Sequence, residues 1–255
     1  MRAGGGAAAV DYGTDFVLVA ATASADETFT LPCSNIGGFS ATIDWGDGST
    51  STITAYDDSD LTHSYAAPGD HTIRVSGTMA NVYFNNGGDK LKVKRVIQLG
   101  HVGMIRLDNA FYGCANLTEF SSGACDTSAV GAAKNMLRGT GVSVPDVSTM
   151  DTSNVFRMPD AFRSAAISDI IGIENFDLSS LAYGYGLSGY ILGGTLPTAR
   201  YDQVLINWAA QDLASRPAQS PHFGGSKYTP GGAAEAGRTH MISEWGWTIT
   251  DGGAA

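Results

Sequence analysis

A short segment occurs four times between residues 109 and 189, and this repeat constrains the fold more than any other feature of the sequence. The third residue of each segment is large and apolar, namely Phe111, Leu137, Phe162 and Leu187, at steps of 26, 25 and 25 residues. A second motif, Asp-Thr-Ser or Asp-Leu-Ser, keeps the same period and begins at Asp126, Asp151 and Asp177. A period of about 20 to 29 residues is typical of leucine-rich-type solenoids, whose units bury their apolar faces against their neighbours.

The repeat predicts an array over residues 81–195 in which the four apolar side chains form consecutive buried rungs. The segment around each is expected to form a short helical turn, and each Asp-Thr-Ser segment a turn leading to a short strand. Asp151-Thr-Ser-Asn-Val155 and Asn135-Met-Leu-Arg resemble the D-T-S-x-V and N-M-x-x-M-F elements of the BspA-like leucine-rich repeat family. In the last copy, Gly186-Leu187 replaces the usual Met-Phe.

Short alternating runs of apolar and polar residues fill the N-terminal third of the chain. They cover residues 15–20, 27–31, 40–45, 51–54 and 71–75, with turn-forming clusters between them. Strands at such spacing predict a β-sandwich. We therefore expect a mainly β fold with short helices, of the α+β class: an N-terminal β-sandwich, a short leucine-rich-type solenoid and a small α/β C-terminal cap.

Two motifs in the expected sandwich carry a family resemblance. Ile43-Asp-Trp-Gly-Asp-Gly-Ser49 and the segment 63–75 resemble the W-G-D-G turn and the H-x-Y-x-x-P-G-x-Y-x-V hairpin of the PKD domain, with His71 in place of the second aromatic residue. The resemblance implies an immunoglobulin-like sandwich over residues 14–80. Its structural motif residues are Trp45, Gly46, Asp47, Gly48, Tyr65, Pro68 and Gly69.

The chemistry of these residues indicates structural roles. Trp45 ends an alternating strand and is expected to fill the core, while Gly46 and Gly48 permit positive φ in the turn. Asp47 is expected to accept hydrogen bonds from turn amides. Tyr65 is expected to pack across the sandwich, and the Pro-Gly pair after it to set the next tight turn.

The clustered aspartates have a second interpretation as metal ligands, and the clustered glycines have a second interpretation as a dinucleotide-binding motif. Asp44, Asp47 and Asp57-Asp-Ser-Asp60 are possible calcium ligands, but they lack the Asp-x-Asp-x-Asp-Gly spacing and the following glutamate. Residues 184–189 form a partial Gly-x-Gly-x-x-Gly motif that follows no strand–helix unit. We therefore expect turn chemistry, with no metal and no cofactor.

The two ends of the chain differ from the repeat region. Residues 1–13 are rich in glycine and alanine, which predicts a flexible or docking arm. Residues 196–255 predict a capping module with helices over 198–210 and 233–243. Thr198 is the expected N-cap of the first helix, which places Tyr201, Leu205 and Trp208 on one face.

Charge and composition argue against several classes of protein. A formal charge of −10 repels phosphate backbones, so no nucleic-acid partner is expected. No run of 18 apolar residues occurs, so membrane insertion is not expected, and the apolar stretch 16–21 is too short for a signal peptide. The three cysteines, Cys33, Cys114 and Cys125, are too few and too widely spaced for a disulfide framework or a zinc site.

No catalytic motif stands out, so we expect a protein that is not an enzyme. Tyr183, Tyr185 and Tyr190 cluster among glycines in the last repeat and are candidate partner-binding residues; packing at the end of the array is the alternative. The resemblances imply a phage virion structural protein: a tail-fibre, tail-tip or head-surface component made in the host cytoplasm. Its expected partners are other virion proteins, a host surface receptor or glycan, and further copies of itself.

Two other functions remain open from the sequence. A bacterial surface adhesin or ligand-binding repeat protein would have the same architecture but would require an export route. An enzyme that cleaves surface glycans is the least supported. The sequence leaves paired carboxylates open, but the Asp-Thr-Ser aspartates recur with the period of the fold, which marks them as turn residues.

Overall fold

The computed structural model describes residues 10–164 and 166–255, which form a mainly β protein with two helices and a mixed sheet. This confirms the expected class at that level. Of the arm expected over residues 1–13, residues 1–9 lie outside the described residues. The elements are β1 (Phe16–Thr22), β2 (Glu27–Thr30), β3 (Phe39–Asp44), β4 (Thr50–Ile53), β5 (Thr62–Tyr65), β6 (Gly69–Met79), β7 (Val93–Gln98), β8 (Glu119–Phe120), α1 (Thr198–Ala209) and α2 (Ala233–Ser243).

Six of the strands form one sheet in the order β4-β3-β6-β1-β7-β8. β1 runs antiparallel to β6, from Phe16 opposite Val75 to Thr22 opposite Gly69, and β7 pairs with β8 in parallel. Since β7 and β8 follow residue 80, the sheet continues past the domain boundary expected there. β7 begins at Val93, directly after a 3₁₀ turn over Lys90–Lys92.

A second, two-stranded sheet pairs β2 with β5 and contributes side chains to the same core. Phe29 from β2 and Tyr65 from β5 are buried, as is Trp45 at the end of β3. The Tyr65 hydroxyl donates to the Trp45 carbonyl at 3.0 Å, which satisfies the phenol inside the core. Trp45 is buried in the core, as expected, and Tyr65 lies in the same core.

The turn after Trp45 depends on its two glycines. Gly46 and Gly48 have φ of 80° and 92°, a region that favours glycine. A Cβ at Gly46 would also lie 2.5 Å from the Thr72 carbonyl oxygen, so no larger residue fits there. Asp47 Oδ1 accepts from the Ser49 N–H at 3.0 Å, as expected for a turn aspartate.

The repeat region consists of segments that stack through backbone hydrogen bonds, and we call them rungs one to four: residues 105–113, 131–139, 156–164 and 182–193. In rungs one to three, alternate N–H groups, starting at Leu107, Ala133 and Met158, donate to carbonyls of the next rung. Phe111 N–H donates to Met136 O at 2.9 Å, and Leu137 N–H donates to Ala161 O at 2.8 Å. Single parallel bridges, such as the one between Ala132 and Arg157, replace the short strands that the sequence predicts.

Each rung turns at a residue in the left-handed conformation. Asn109, Asn135 and Asp160 have φ of 56°, 53° and 54°, and asparagine and aspartate tolerate this region better than most residues. The turns that follow are closed by i→i+3 hydrogen bonds, for example from Cys114 N–H to Phe111 O at 3.1 Å, and not by the expected helical turns. Phe111, Leu137 and Phe162 are buried just after these positions, as predicted.

Leu187 is predicted to continue the column formed by Phe111, Leu137 and Phe162. It is buried, but it does not lie in that column, so the predicted register is wrong. Met158 N–H donates to Gly186 O, which places Leu187 opposite Met158 and not opposite Phe162. Phe162 N–H donates to Tyr190 O at 3.0 Å, so Ile191 continues the column of large apolar residues. Gly189, with φ of 61°, occupies the left-handed position of this rung. Apolar residues at both positions made the two registers indistinguishable from hydrophobicity alone.

The Asp-Thr-Ser motif joins the same layers on another side of the stack. Thr127 Oγ1 donates to Asp151 O at 2.9 Å and accepts from Asp151 N–H at 2.8 Å. Thr152 makes the same pair of bonds with Asp177. Because both threonines are buried, these bonds satisfy backbone groups that water does not reach. The aspartate of each motif accepts from the serine N–H two residues later, which explains why the three residue types recur together.

The hydrogen-bonded column continues into the C-terminal part of the chain. Ile191 N–H donates to His222 O at 2.8 Å, and Phe223 N–H donates to Thr250 O at 2.7 Å. α2 has the predicted bounds. α1 begins at Thr198 and ends at Ala209, one residue before the predicted end, and its N-cap is Pro197, so the predicted N-cap, Thr198, is wrong by one residue. The predicted face of α1, formed by Tyr201, Leu205 and Trp208, is buried. Neither helix within the described ranges has the length and apolarity needed to span a bilayer.

A buried carboxylate ties α1 and α2 to the C-terminal strand-like segment. Asp251 Oδ2 accepts from Tyr201 Oη at 2.6 Å and from Arg238 Nε at 2.7 Å, and Oδ1 accepts from the Gly253 N–H at 3.0 Å. Burial alone would raise the pKa of Asp251, but the hydrogen bonds from Arg238, Tyr201 and Gly253 outweigh it and lower the pKa below its usual value.

Truncating a rung side chain should destabilise the whole stack. We expect Leu137→Ala to lower the free energy of unfolding by about 2 to 5 kcal/mol, because it leaves a cavity between two hydrogen-bonded layers that cannot close independently. Denaturant unfolding followed by tryptophan fluorescence measures this. Val144→Ala, at a side chain that is 43% exposed, is the matched control and should change stability by less than about 0.5 kcal/mol. Equal losses in the two variants would contradict a buried rung.

The Asp251 cluster should make stability depend on pH in acid. The aspartate pKa is about 3.9 in an unfolded chain and lower in the folded protein, so its stabilising effect is present above about pH 4 and is lost as the pH falls towards the folded value. Asp251→Asn should therefore be less stable than wild type at neutral pH, with a difference that shrinks below about pH 4. Asp212→Asn, at an exposed position, is the control. A difference that stays constant into acid would contradict this linkage.

Candidate binding surface

The fourth rung contains extra residues, and they lie at one place. Ala182 N–H donates to the Phe156 carbonyl, and Gly186 O accepts from the Met158 N–H, so Ala182 lies opposite Phe156 and Leu187 opposite Met158. One residue, Arg157, separates the two positions in rung three, whereas residues 183–186 separate them in rung four. Insertions into stacked repeats are accommodated as loops on one face. The loop 183–186 therefore protrudes from the stack.

This loop carries two of the three tyrosines that the sequence singles out. Tyr183 and Tyr185 are 44% and 51% exposed, and their rings stack with centroids 5.2 Å apart and planes 22° apart. Their candidate role in binding remains a prediction. Tyr190 is fully buried, packed beside Phe162 and Trp208, so its predicted place in an exposed cluster is wrong and the packing alternative applies to it. Burial raises the pKa of the Tyr190 phenol well above its usual value.

Backbone and side-chain hydrogen bonds fix the loop from two sides. Gly186 N–H donates to Tyr183 O at 2.8 Å, which closes a four-residue turn. Gln219 is almost fully buried, and its Nε2 donates to the same carbonyl at 2.9 Å while its Oε1 accepts from the Leu187 N–H at 3.2 Å. A loop held in this way presents its two rings in one arrangement, which lowers the entropy lost when a partner binds.

Rung three extends the aromatic surface beside the loop. Phe156 lies edge-on to Tyr183, with centroids 6.0 Å apart and planes at 64°. The guanidinium groups of Arg106 and Arg157 lie 5.2 and 5.8 Å from the Phe156 ring centroid, within cation–π range. Rung two permits this contact, since a Cβ at Gly131 would lie 2.9 Å from Phe156 Cε1 and push the ring away.

One carboxylate positions both arginines. Asp108 Oδ2 lies 3.1 Å from Arg157 Nη2 and 3.5 Å from Arg106 Nη1, while its Oδ1 accepts from the Lys134 N–H at 2.8 Å. Two guanidinium groups therefore share one negative charge, and the exposed Lys134 adds a further positive charge on the same face. We call this surface the aromatic strip and define it as Arg106, Phe156, Arg157, Tyr183 and Tyr185.

The side chains that the sequence offered for other chemistry are engaged in turns. His63 Nε2 lies 2.7 Å from Asp47 Oδ2, and Ser49 Oγ donates to the other oxygen of the same carboxylate at 2.5 Å. Burial alone would raise the pKa of Asp47, but the bonds from Ser49 and His63 lower it below its usual value. Asp44 and Asp58 accept from nearby backbone N–H groups. Among residues 10–164 and 166–255, no group of three or more His, Cys, Asp or Glu side chains is placed to hold a metal ion.

Sequence reasoning missed Arg106, Asp108, Phe156 and Arg157. Their neighbourhood depends on which residues face one another across rungs, and a period counted from apolar residues alone does not specify that. One signal was available: the left-handed positions Asn109, Asn135 and Asp160 point to Gly189 as the next member, and that longer step reveals an insertion. With the insertion located at residues 183–186, the residues opposite it could have been identified.

Comparison with known proteins gives no relative from which a role for this surface could be taken. The chain matches no protein-family model, no curated protein and no solved structure.

Proposed function

We propose that this protein is a non-enzymatic phage virion structural protein, a tail-fibre, tail-tip or head-surface component that takes part in assembly and contacts the host surface through the aromatic strip. The observation that carries the proposal is the insertion in rung four, which exposes Tyr183 and Tyr185 on an otherwise regular stack. Insertions of this kind are where repeat proteins place their binding residues. Exposed tyrosines offer large contact areas at a low entropy cost.

The proposal includes a finer description of the fold. In it, β1 to β6 form a PKD-like β-sandwich, rungs one to four form a short BspA-like solenoid, and residues 196–255 cap the array. Support comes from the core that the two N-terminal sheets share and from parallel bridges between residues about one repeat apart, such as Arg106 with Ala132. The hydrogen-bonded column that reaches Thr250 supports a C-terminal module continuous with the stack.

A structural role for the recurring polar residues supports the non-enzymatic part of the proposal. Asp126, Asp151 and Asp177 each accept a hydrogen bond from the N–H two residues later, and the threonines between them bridge neighbouring layers. These contacts account for the motif through folding alone. In the same way, the carboxylate of Asp47, in the turn after β3, is bonded to Ser49 of the same turn and to His63 of β5.

The virion role predicts where the protein is found. When particles are released by lysis from a culture that expresses the gene and are banded in a density gradient, we expect peptides of this chain to co-band with the other virion proteins in mass spectrometry. Recovery only from the cell envelope would contradict the virion role and favour the alternative, a bacterial surface adhesin.

The binding role predicts a loss that is specific to the loop. The double variant Tyr183→Ala/Tyr185→Ala should bind host cells at least about tenfold more weakly than wild type, because aromatic residues dominate the energetics of most contact surfaces. Flow cytometry with fluorescently labelled protein measures this binding. Tyr56→Ala, at a tyrosine that is 37% exposed in the N-terminal region, is the matched control. Equal binding by the double variant and wild type would overturn the assignment of the strip.

A further inference from the structure

We infer that the aromatic strip binds a sugar chain that carries carboxylate groups, such as a uronic-acid polymer. This inference rests on the proposed host-surface role and names the chemical class of the ligand. It depends on three features of the strip: the exposed tyrosine rings, the incompletely neutralised arginines and the paired backbone at Phe156.

The ring faces are suited to pyranose rings. Tyr183 and Tyr185 present stacked, exposed rings, and the residues that separate and follow them, Gly184 and Gly186, have no side chains that obstruct access. The negative face of an aromatic ring attracts the positively polarised C–H groups that line one face of a sugar ring. Phe156 continues the row towards Arg106, so the strip is elongated across rungs three and four and suits a chain of sugars better than a single one.

The arginines supply the charge that a carboxylate requires. A guanidinium group has five N–H donors, and the contacts with Asp108 involve only Nη1 of Arg106 and Nη2 of Arg157. Within the described residues, the other terminal nitrogen of each group has no hydrogen bond or ion pair. Arginine is well suited to carboxylates, which it binds through paired N–H donors.

The positive charge of the strip contrasts with the negative net charge of the chain. A protein with a formal charge of −10 repels anionic polymers over most of its surface. In the strip, the guanidinium groups of Arg106 and Arg157 share the one carboxylate of Asp108, so this cluster of three side chains has a net positive charge. These guanidinium groups therefore attract an anionic chain towards the strip, although the net charge of the protein is negative.

An acidic peptide would match the charge but not the backbone. Extended peptides are commonly recognised by pairing with free N–H and C=O groups of a sheet edge. At Phe156 these groups are already used: its N–H donates to Gly131 O at 2.9 Å, and its carbonyl accepts from the Ala182 N–H at 3.1 Å. Recognition here has to come from side chains, and a sugar ring needs no backbone partner.

Calorimetric titration with an oligogalacturonate and with its carboxyl-reduced counterpart tests the inference. We expect wild type to bind the uronate form more tightly, and this preference to weaken in about 1 M salt because the charges are screened. Arg106→Gln should lower affinity for the uronate about threefold to tenfold and leave the reduced form unchanged. Tyr183→Ala/Tyr185→Ala should weaken binding of both forms.

Lys227→Gln, at an exposed lysine in the C-terminal region, is the matched control and should bind like wild type, with thermal unfolding used to check that every variant is folded. Equal affinity for both sugars, an equal loss in Lys227→Gln, or tighter binding of poly-glutamate than of the uronate would overturn the inference. If wild type shows no preference for the uronate but its binding to host cells depends on the two tyrosines, the ligand class is refuted and the proposed function stands. If wild type shows no preference and its cell binding does not depend on the tyrosines, the ligand class and the proposed function are both refuted.

Discussion

Backbone hydrogen bonds between successive layers are the interaction on which the rest of the structure depends. A column of donors runs from Phe84 through Phe111, Leu137, Phe162 and Ile191 to Phe223, each N–H reaching a carbonyl of the following layer. Since a buried backbone group without a partner is costly, each layer must return the chain to the same place. That requirement fixes the spacing of the repeat, the left-handed residue at each turn and the apolar residue that follows it.

The same requirement explains which parts of the fold the sequence predicts. Strand runs, the glycine turn after Trp45 and the period of the rungs are local patterns, and the structure has them close to the predicted bounds. Register is not local. Leu187 and Ile191 are both apolar and buried, so the last rung could be aligned on either, and only the hydrogen bond from Phe162 to Tyr190 decides between them. The continuation of the sheet into β7 and β8 likewise depends on pairing between distant segments.

The candidate site lies at residues 183–186, where rung four is longer than the rungs before it. Because the layers on either side hold Ala182 and Leu187 in register, the additional residues between them can only project outward. Sequence identifies Tyr183 and Tyr185 by composition but does not separate them from Tyr190, which lies five residues further on and is buried. Arg106 and Phe156, at 77 and 27 residues before Tyr183, join the strip only because the layers bring them together.

The strip is rigid because the outer layers of the hydrogen-bonded column are paired at both ends. At one end Phe84 N–H donates to Ala110 O, so rung one is bonded to a segment next to the N-terminal sheets; at the other, Ile191 N–H donates to His222 O. Both outer layers are therefore paired, which removes the open edges that would let a short stack fray or associate with other chains. The rings and guanidinium groups stand on layers that cannot shift separately. A ligand of the proposed binding surface would then have to match the spacing between layers, and its selectivity would come from the backbone as much as from the side chains that touch it.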